Sequence, residues 1–155
     1  MACASTADAQ EQPQSFSQAK VLLAQIHEDL GLLTTFYCGC PYVRKGRSGG
    51  DIDRDRCGLK TRKNNLRSDR VEWEHVVPAS WIGRGRACWD TGHADCQKKS
   101  RKYCAKVDDE FITAYASPHN LFPSSGELNG DRSSYPFGTV PGEVRIYGAC
   151  DFEVG

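Results

Sequence analysis

The stretch VEWEHVVPASW, residues 71–81, sets a carboxylate directly beside an imidazole, Glu74 and His75, inside an otherwise apolar run that stops at a proline. Two such groups in apolar surroundings cost free energy unless a partner, a metal ion or a catalytic task compensates them. The run from Arg70 to Val77 alternates and is rich in β-formers, so it predicts a strand ended by Pro78. Neighbouring residues of an ideal strand face opposite ways. Glu74 and His75 therefore reach one site only where the strand has ended or is distorted.

Working outward, HNLFP (119–123) predicts a second strand, and SSGELNGDR predicts a short helix carrying Glu127 and Asn129, with Ser124 or Ser125 as its N-cap. Asn129 lies 54 residues after His75. One carboxylate and one amide oxygen form a minimal protein donor set for a hard divalent cation, which takes the rest of its shell from water and phosphate. The plainer readings are a surface ion pair for Glu74 and His75 and an ordinary turn at Asn129–Gly130. His119 is expected bonded in the core, Asn120 holding a loop, and Trp73 and Trp81 in the core.

Upstream, Phe16, Ala19, Leu22, Leu23 and Ile26 fall at helical spacing. A helix is expected over 16–29, capped by Ser15 or Ser17 and ended by Gly31. TTFYCGC reads as a short strand and residues 44–70 as a long irregular arm. Within the arm, DIDRDRCG spaces Asp51, Asp53 and Asp55 like a calcium loop. It has Arg56 at the sixth position and Arg62 at the twelfth, where an EF-hand needs Gly and Glu, so charge pairing is the better account. A cysteine-bearing loop is expected from Gly83 to Cys104, followed by a helix near 108–116.

The totals bound the class. A chain of 155 residues, 39% hydrophobic and 26% charged, suits one globular domain with a real core. No run of eighteen apolar residues is present, which excludes a helical membrane span. The formal net charge is zero, yet residues 44–70 hold ten Lys/Arg against four Asp, and Lys98, Lys99, Arg101, Lys102 and Lys106 form a second basic cluster. Such patches attract phosphate, although most charge runs are solvated surface. Eight cysteines without a C-x-x-C pair point to disulfides and an oxidising compartment. Cys88 and Cys96 are near enough to staple a loop, and Cys150 needs a distant partner. A zinc site built from Cys38, Cys40, His93 and Cys96 has irregular spacing. Residues 1–14 read as a flexible segment or leader remnant, to which Cys3 belongs.

In order along the chain, SFSQAK, FYCGC, EWEHVVPASW, HNL, GELNGDRS and YGAC resemble the bacterial endonuclease I family of periplasmic and secreted nucleases. The likeness spans about residues 15–152. It implies an α+β fold with a ββα-metal core, residues 15–155 forming a single nuclease domain, and a monomer without membrane span. It implies a magnesium-dependent endonuclease, with Mn2+ or Ca2+ able to replace Mg2+, that cuts DNA and RNA with little sequence preference outside the cytoplasm. Carried over, His75 is the general base, and Glu74 and Asn129 hold the metal.

Two departures stand out. Where the family usually reads Gly-Gly-Arg-Lys-Asn-Cys, with the arginine on the scissile phosphate, this chain reads TGHADC, which puts His93 in that catalytic position. Histidine lacks the guanidinium fork, so Arg84, Arg86 or Arg101 is expected to supply the charge. Arg86 and Arg132 are taken as substrate-binding residues. SPHNL also replaces the usual Asp-Leu or Asp-Met before His-Asn-Leu, and the chain is short after YGAC. The competing classes are a non-catalytic nucleic-acid-binding relative and a disulfide- or zinc-stabilised interaction module.

Overall fold

The computed structural model describes residues 12–63, 65–91 and 101–154. It is an α+β arrangement of helices around two small antiparallel sheets. The first helix, α1 (Phe16–Asp29), falls where its periodicity puts it. Ser15 Oγ accepts the Gln18 amide proton at 3.2 Å, and the chain leaves the helix through Gly31 at φ 66°. Ala19, Leu23 and Ala24 are buried, whereas Ile26 is exposed.

β3 (Val71–His75) pairs with β4 (Leu121–Ser125) in antiparallel register, from Val71 opposite Ser125 to His75 opposite Leu121. β4 runs directly into α7 (Gly126–Arg132). Ser125 occupies the N-cap position, but its hydroxyl makes no capping bond and instead donates to the Ser68 carbonyl at 3.0 Å. The regular alternation of β3 sends Glu72 and Glu74 toward α7, where they meet Asn129 and Arg132. Trp73 and His75 go the other way, toward α1, where Trp73 joins Ala19, Leu23 and Leu121 in a core cluster and the His75 ring lies 4.9 Å from that of Phe16.

The other core clusters hold this unit in place. One gathers Tyr42, Ile52, Leu59, Val71, Leu128 and Tyr147 beneath β3 and α7. Another joins Phe111 and Tyr115 of α6 (Asp109–Tyr115) to Cys88 and Cys104 of α4 (Ala87–Asp90) and α5 (Arg101–Val107). Asp108 caps α6 by accepting the Phe111 amide at 2.8 Å.

Several expectations are corrected. TTFYCGC is a turn with one isolated bridge, Thr34 opposite Pro41; Cys38 (φ 65°) and Gly39 (φ 59°) both adopt positive φ, which no strand permits. The arm 44–70 is not irregular throughout: β1 (Tyr42–Lys45) and β2 (Gly49–Ile52) form a hairpin, with a one-turn 3₁₀ segment Asp55–Cys57 and α2 (Asn65–Ser68) beyond. Two consecutive glycines in β2 hide the alternation, and Gly50 is needed because a Cβ there would lie 2.7 Å from the Tyr42 ring. α3 (Ala79–Gly83) precedes the segment expected as a loop from Gly83 to Cys104, and within that segment α4 and the first turn of α5 appear. His119 and Trp81 are exposed rather than core residues. Trp73 is buried, and its indole N–H donates to the Ser48 carbonyl at 2.7 Å. Asn120 does hold a loop, clasping Val77 through both its amide and its carbonyl.

Among the described residues the disulfides are Cys38–Cys150, Cys40–Cys57 and Cys88–Cys104. Cys88 thus pairs with Cys104, not with Cys96, and Cys150 has a partner 112 residues away. Cys38 and Cys40 are therefore closed to zinc. Cys3, His93 and Cys96 lie outside the described residues. Peptide mapping without reduction should recover these three pairs as linked peptides; a Cys88–Cys96 peptide would contradict this arrangement.

Candidate metal and imidazole site

At the C-terminal end of β3 a cleft of about 440 Å3 is lined by Glu74, His75, Trp89, Arg101 and Asn129, among others. No distortion of the strand is needed. His75 is the last residue of β3, so the cleft at its end is open to side chains from both faces. Beyond it, Val76 donates to the Asn120 carbonyl at 3.0 Å.

His75 is 9% exposed and stacked on Tyr115, with ring centroids 4.6 Å apart and planes at 9°. Its Nε2 lies 2.9 Å from the Tyr115 carbonyl oxygen. A carbonyl only accepts, so Nε2 carries the proton and, in the neutral ring, Nδ1 keeps its lone pair. Burial lowers the imidazole pKa to about 4, aided by the charges of Arg101 and Arg132 and opposed by the bond to Tyr115. At neutral pH the ring is an uncharged base in a fixed tautomer.

Glu74 is 1% exposed. Its Oε1 accepts from the Tyr37 hydroxyl and from Arg132 Nη1, each at 2.9 Å. Burial still leaves the carboxyl pKa raised, despite the lowering effect of both donors. Burial together with the nearby carboxylate raises the Tyr37 phenol, so Tyr37 remains a donor.

Arg132 is 5% exposed and fully committed at its tip. Besides Glu74, Nη1 donates to the His75 carbonyl at 2.7 Å and Nη2 to the Val76 carbonyl at 2.6 Å, while the guanidinium lies 4.7 Å above the Phe137 ring centroid. Neither a phosphate grip nor a surface salt bridge describes it. Arg86 is likewise engaged elsewhere, binding Asp108 at 2.8 Å, Glu110 at 3.2 Å and the Ile82 carbonyl, and it does not line the cleft. Arg101 does line it; among the described residues its guanidinium forms no ion pair and sits 6.0 Å from the Tyr115 ring centroid.

The donor set fits a hard divalent cation. Glu74 keeps Oε2 outside its bonds to Tyr37 and Arg132, and Asn129 donates through Nδ2 to Glu72 at 3.2 Å, so Glu74 Oε2 and Asn129 Oδ1 are the oxygens that could serve as ligands. Among the described residues a group of three carboxylates, Glu143, Asp151 and Glu153, also lies close together, but Glu143 and Asp151 are exposed and paired with Arg145. A larger cavity of about 600 Å3 beside Arg132 is lined by Tyr37, Phe137, Phe152 and these acidic residues. Among the described residues it contains no histidine, so the smaller cleft is the better candidate for base chemistry.

The sequence did not announce the Tyr37–Glu74–Arg132 group, because its members are 37 and 58 residues apart in pairing. An arginine in the last turn of a helix gives no sign that it will be buried.

An imidazole, a buried carboxylate and an amide thus share one cleft, the side-chain types that metal-assisted hydrolases use. The chain belongs to the Endonuclease I family, whose model matches residues 15–150. It is 38% identical over 141 residues to the Endonuclease-1 of Buchnera aphidicola subsp. Acyrthosiphon pisum (strain APS), covering 91% of this chain and 52% of the relative. It is 40% identical to an extracellular deoxyribonuclease of Aeromonas hydrophila (91% and 57% covered) and 38% identical to a periplasmic deoxyribonuclease of the same organism (93% and 56%). The chain thus spans about half the length of the curated relatives it matches. Among the described residues no helix is long and apolar enough to cross a membrane.

Two measurements check the site's electrostatics. In the metal-free protein, NMR should find His75 titrating near pH 4, against about 6.5 for a solvated histidine. Because the folded pKa is the lower one, its contribution to stability is present above about pH 6.5 and is lost as pH falls toward 4. A titration near 6.5 would contradict the burial described. Second, Arg132→Met leaves a buried carboxylate unpaired and should cost about 3–5 kcal/mol in chemical denaturation; Arg132→Lys should recover only part, since an ammonium lacks the fork that spans Glu74 and two carbonyls.

Proposed function

We propose that this chain forms the ββα-metal core of an endonuclease that hydrolyses phosphodiester bonds of DNA, and of RNA, with a divalent cation such as magnesium. The observation that carries the reading is the cleft itself. A neutral imidazole with a fixed tautomer shares it with a buried carboxylate, an amide and the Arg101 guanidinium, which forms no ion pair among the described residues. The names of the Buchnera and Aeromonas relatives support the same reading.

In the proposed reaction His75 Nδ1 takes a proton from the water that attacks phosphorus in line. Its Nε2–H bond to Tyr115 opposes ring rotation and supports the imidazolium that forms. Glu74 Oε2 and Asn129 Oδ1 would hold the cation, which when bound supplies charge neutralisation at the phosphate and stabilises the departing 3′ oxygen. Arg101, one of the three arginines expected to supply this charge, binds a non-bridging phosphate oxygen. His93, outside the described residues, remains assigned to this phosphate by sequence position alone.

Contacts to phosphate rather than to base edges make the enzyme sequence-tolerant and salt-sensitive. The disulfides among the described residues and the extracellular and periplasmic relatives support action outside the cytoplasm, and the chain is taken to act as one domain and as a monomer.

With magnesium, the protein should nick and linearise supercoiled plasmid, and EDTA should stop it. His75→Ala should lower the rate by at least roughly 10²-fold, and Arg101→Ala by roughly 10²-fold. Cutting by His75→Ala at the parent rate would remove the base assignment; retarded plasmid migration without cutting under any divalent metal would make the chain a binding protein.

A further inference from the structure

Asn129 is not held by its own helix alone. Its Nδ2 donates to Glu72 Oε2 at 3.2 Å, and the same carboxylate is gripped from its other side by Arg67 (Nε to Oε1, 3.1 Å; Nη2 to Oε2, 2.9 Å) and by Arg70 (Nε to Oε1, 3.0 Å). A carboxylate has no proton to give, so only the amide nitrogen of Asn129 can face it. The amide oxygen must then face away from Glu72. This settles the Asn129 orientation from chemistry, independently of how the two amide atoms were assigned.

The helix is shaped for this contact. Gly126 and Gly130 are four residues apart and so share a face of α7. A Cβ on Gly126 would lie 2.6 Å from Glu72 Oε1 and 2.7 Å from the Arg67 carbonyl oxygen, and one on Gly130 would meet the Arg67 guanidinium. Both glycines thus leave room for the Arg67–Glu72 pair against the helix that carries Asn129. Glu72 and Glu74 lie two apart on the same face of β3, so one strand face supplies both a cation ligand and the group that aims the other ligand.

We propose that Glu72 is a positioning residue of the cation site: by claiming the Asn129 amide nitrogen it presents Oδ1 to the ion. The inference rests on the reading of the cleft as a divalent-cation site. Glu72 touches neither the ion nor the substrate; it acts through Asn129, with Arg67 and Arg70 holding it in place.

In Glu72→Gln the arginines retain the new amide's oxygen and turn its NH2 toward Asn129, which must then rotate its own oxygen inward, away from the ion. The test is a Mn2+ titration by isothermal calorimetry, without nucleic acid, with thermal unfolding followed in parallel. Parent protein binds, Glu74→Ala loses binding, and Glu72→Gln weakens it by roughly 10- to 100-fold while still unfolding cooperatively. Adding Asn129→Asp to Glu72→Gln restores affinity, because a carboxylate presents an oxygen whichever way it turns and accepts the donated NH2. Asn129→Asp in the parent sets two carboxylates together and gives no such gain.

If Glu72→Gln binds like the parent, or if Asn129→Asp has the same effect in both backgrounds, Glu72 does not aim Asn129 and the inference is overturned. If the parent binds no Mn2+, or Glu74→Ala binds as tightly as the parent, the cation site itself is misassigned and the inference falls with it.

Discussion

The buried ion pair between Glu74 and Arg132 is the constraint on which the rest of the site depends. Both side chains are almost fully withdrawn from water, which costs each several kcal/mol unless its polar atoms are met. Arg132 meets most of this requirement through its two terminal nitrogens, which donate to Glu74, His75 and Val76 together while Nε stays buried without a partner, so the last turn of α7 is fastened to the end of β3. The imidazole, the carboxylate and the helix bearing Asn129 are thereby fixed relative to one another by one guanidinium. The Glu74 oxygen that Arg132 and Tyr37 occupy is unavailable for other work, and the other oxygen is the one left for chemistry.

This geometry reassigns charges that look mobile in the sequence. Much of the basic arm is neutralised locally: Arg44 pairs with Glu28, Lys45 with Asp51, Arg54 with Asp69, Arg62 with Asp131, and Arg67 and Arg70 with Glu72. Glu127, in the first turn of α7, is also structural, accepting the backbone amides of Arg62 at 3.0 Å and Lys63 at 2.6 Å. Arg62 and Lys63 of the arm are thereby tied down onto α7.

What could be read in advance follows physical lines. α1, β3, α6 and α7 carry strong periodicity or caps, and they were legible. The bond from His75 Nε2 to the Tyr115 carbonyl was not, because the two residues are 40 apart in the chain. The β1–β2 hairpin was hidden by Gly49 and Gly50, which carry no pattern. The short helices α3 and α4 are too brief to show a period and are held by packing around Phe111 and the Cys88–Cys104 bridge. The ion pairs of Arg132 and Arg86 were not legible because sequence reports a charge but not the carboxylates that will surround it. Glu72 was passed over for the same reason: only the paired register of β3 and β4 brings it to Asn129.

The central claim is that Glu74 and Asn129 converge on one cation beside His75. The most direct measurement is the anomalous difference map of a crystal soaked in Mn2+. The account predicts a peak in the cleft in contact with Glu74 Oε2 and Asn129 Oδ1. A cleft without a peak, with Mn2+ found only at Glu143, Asp151 and Glu153, would contradict it.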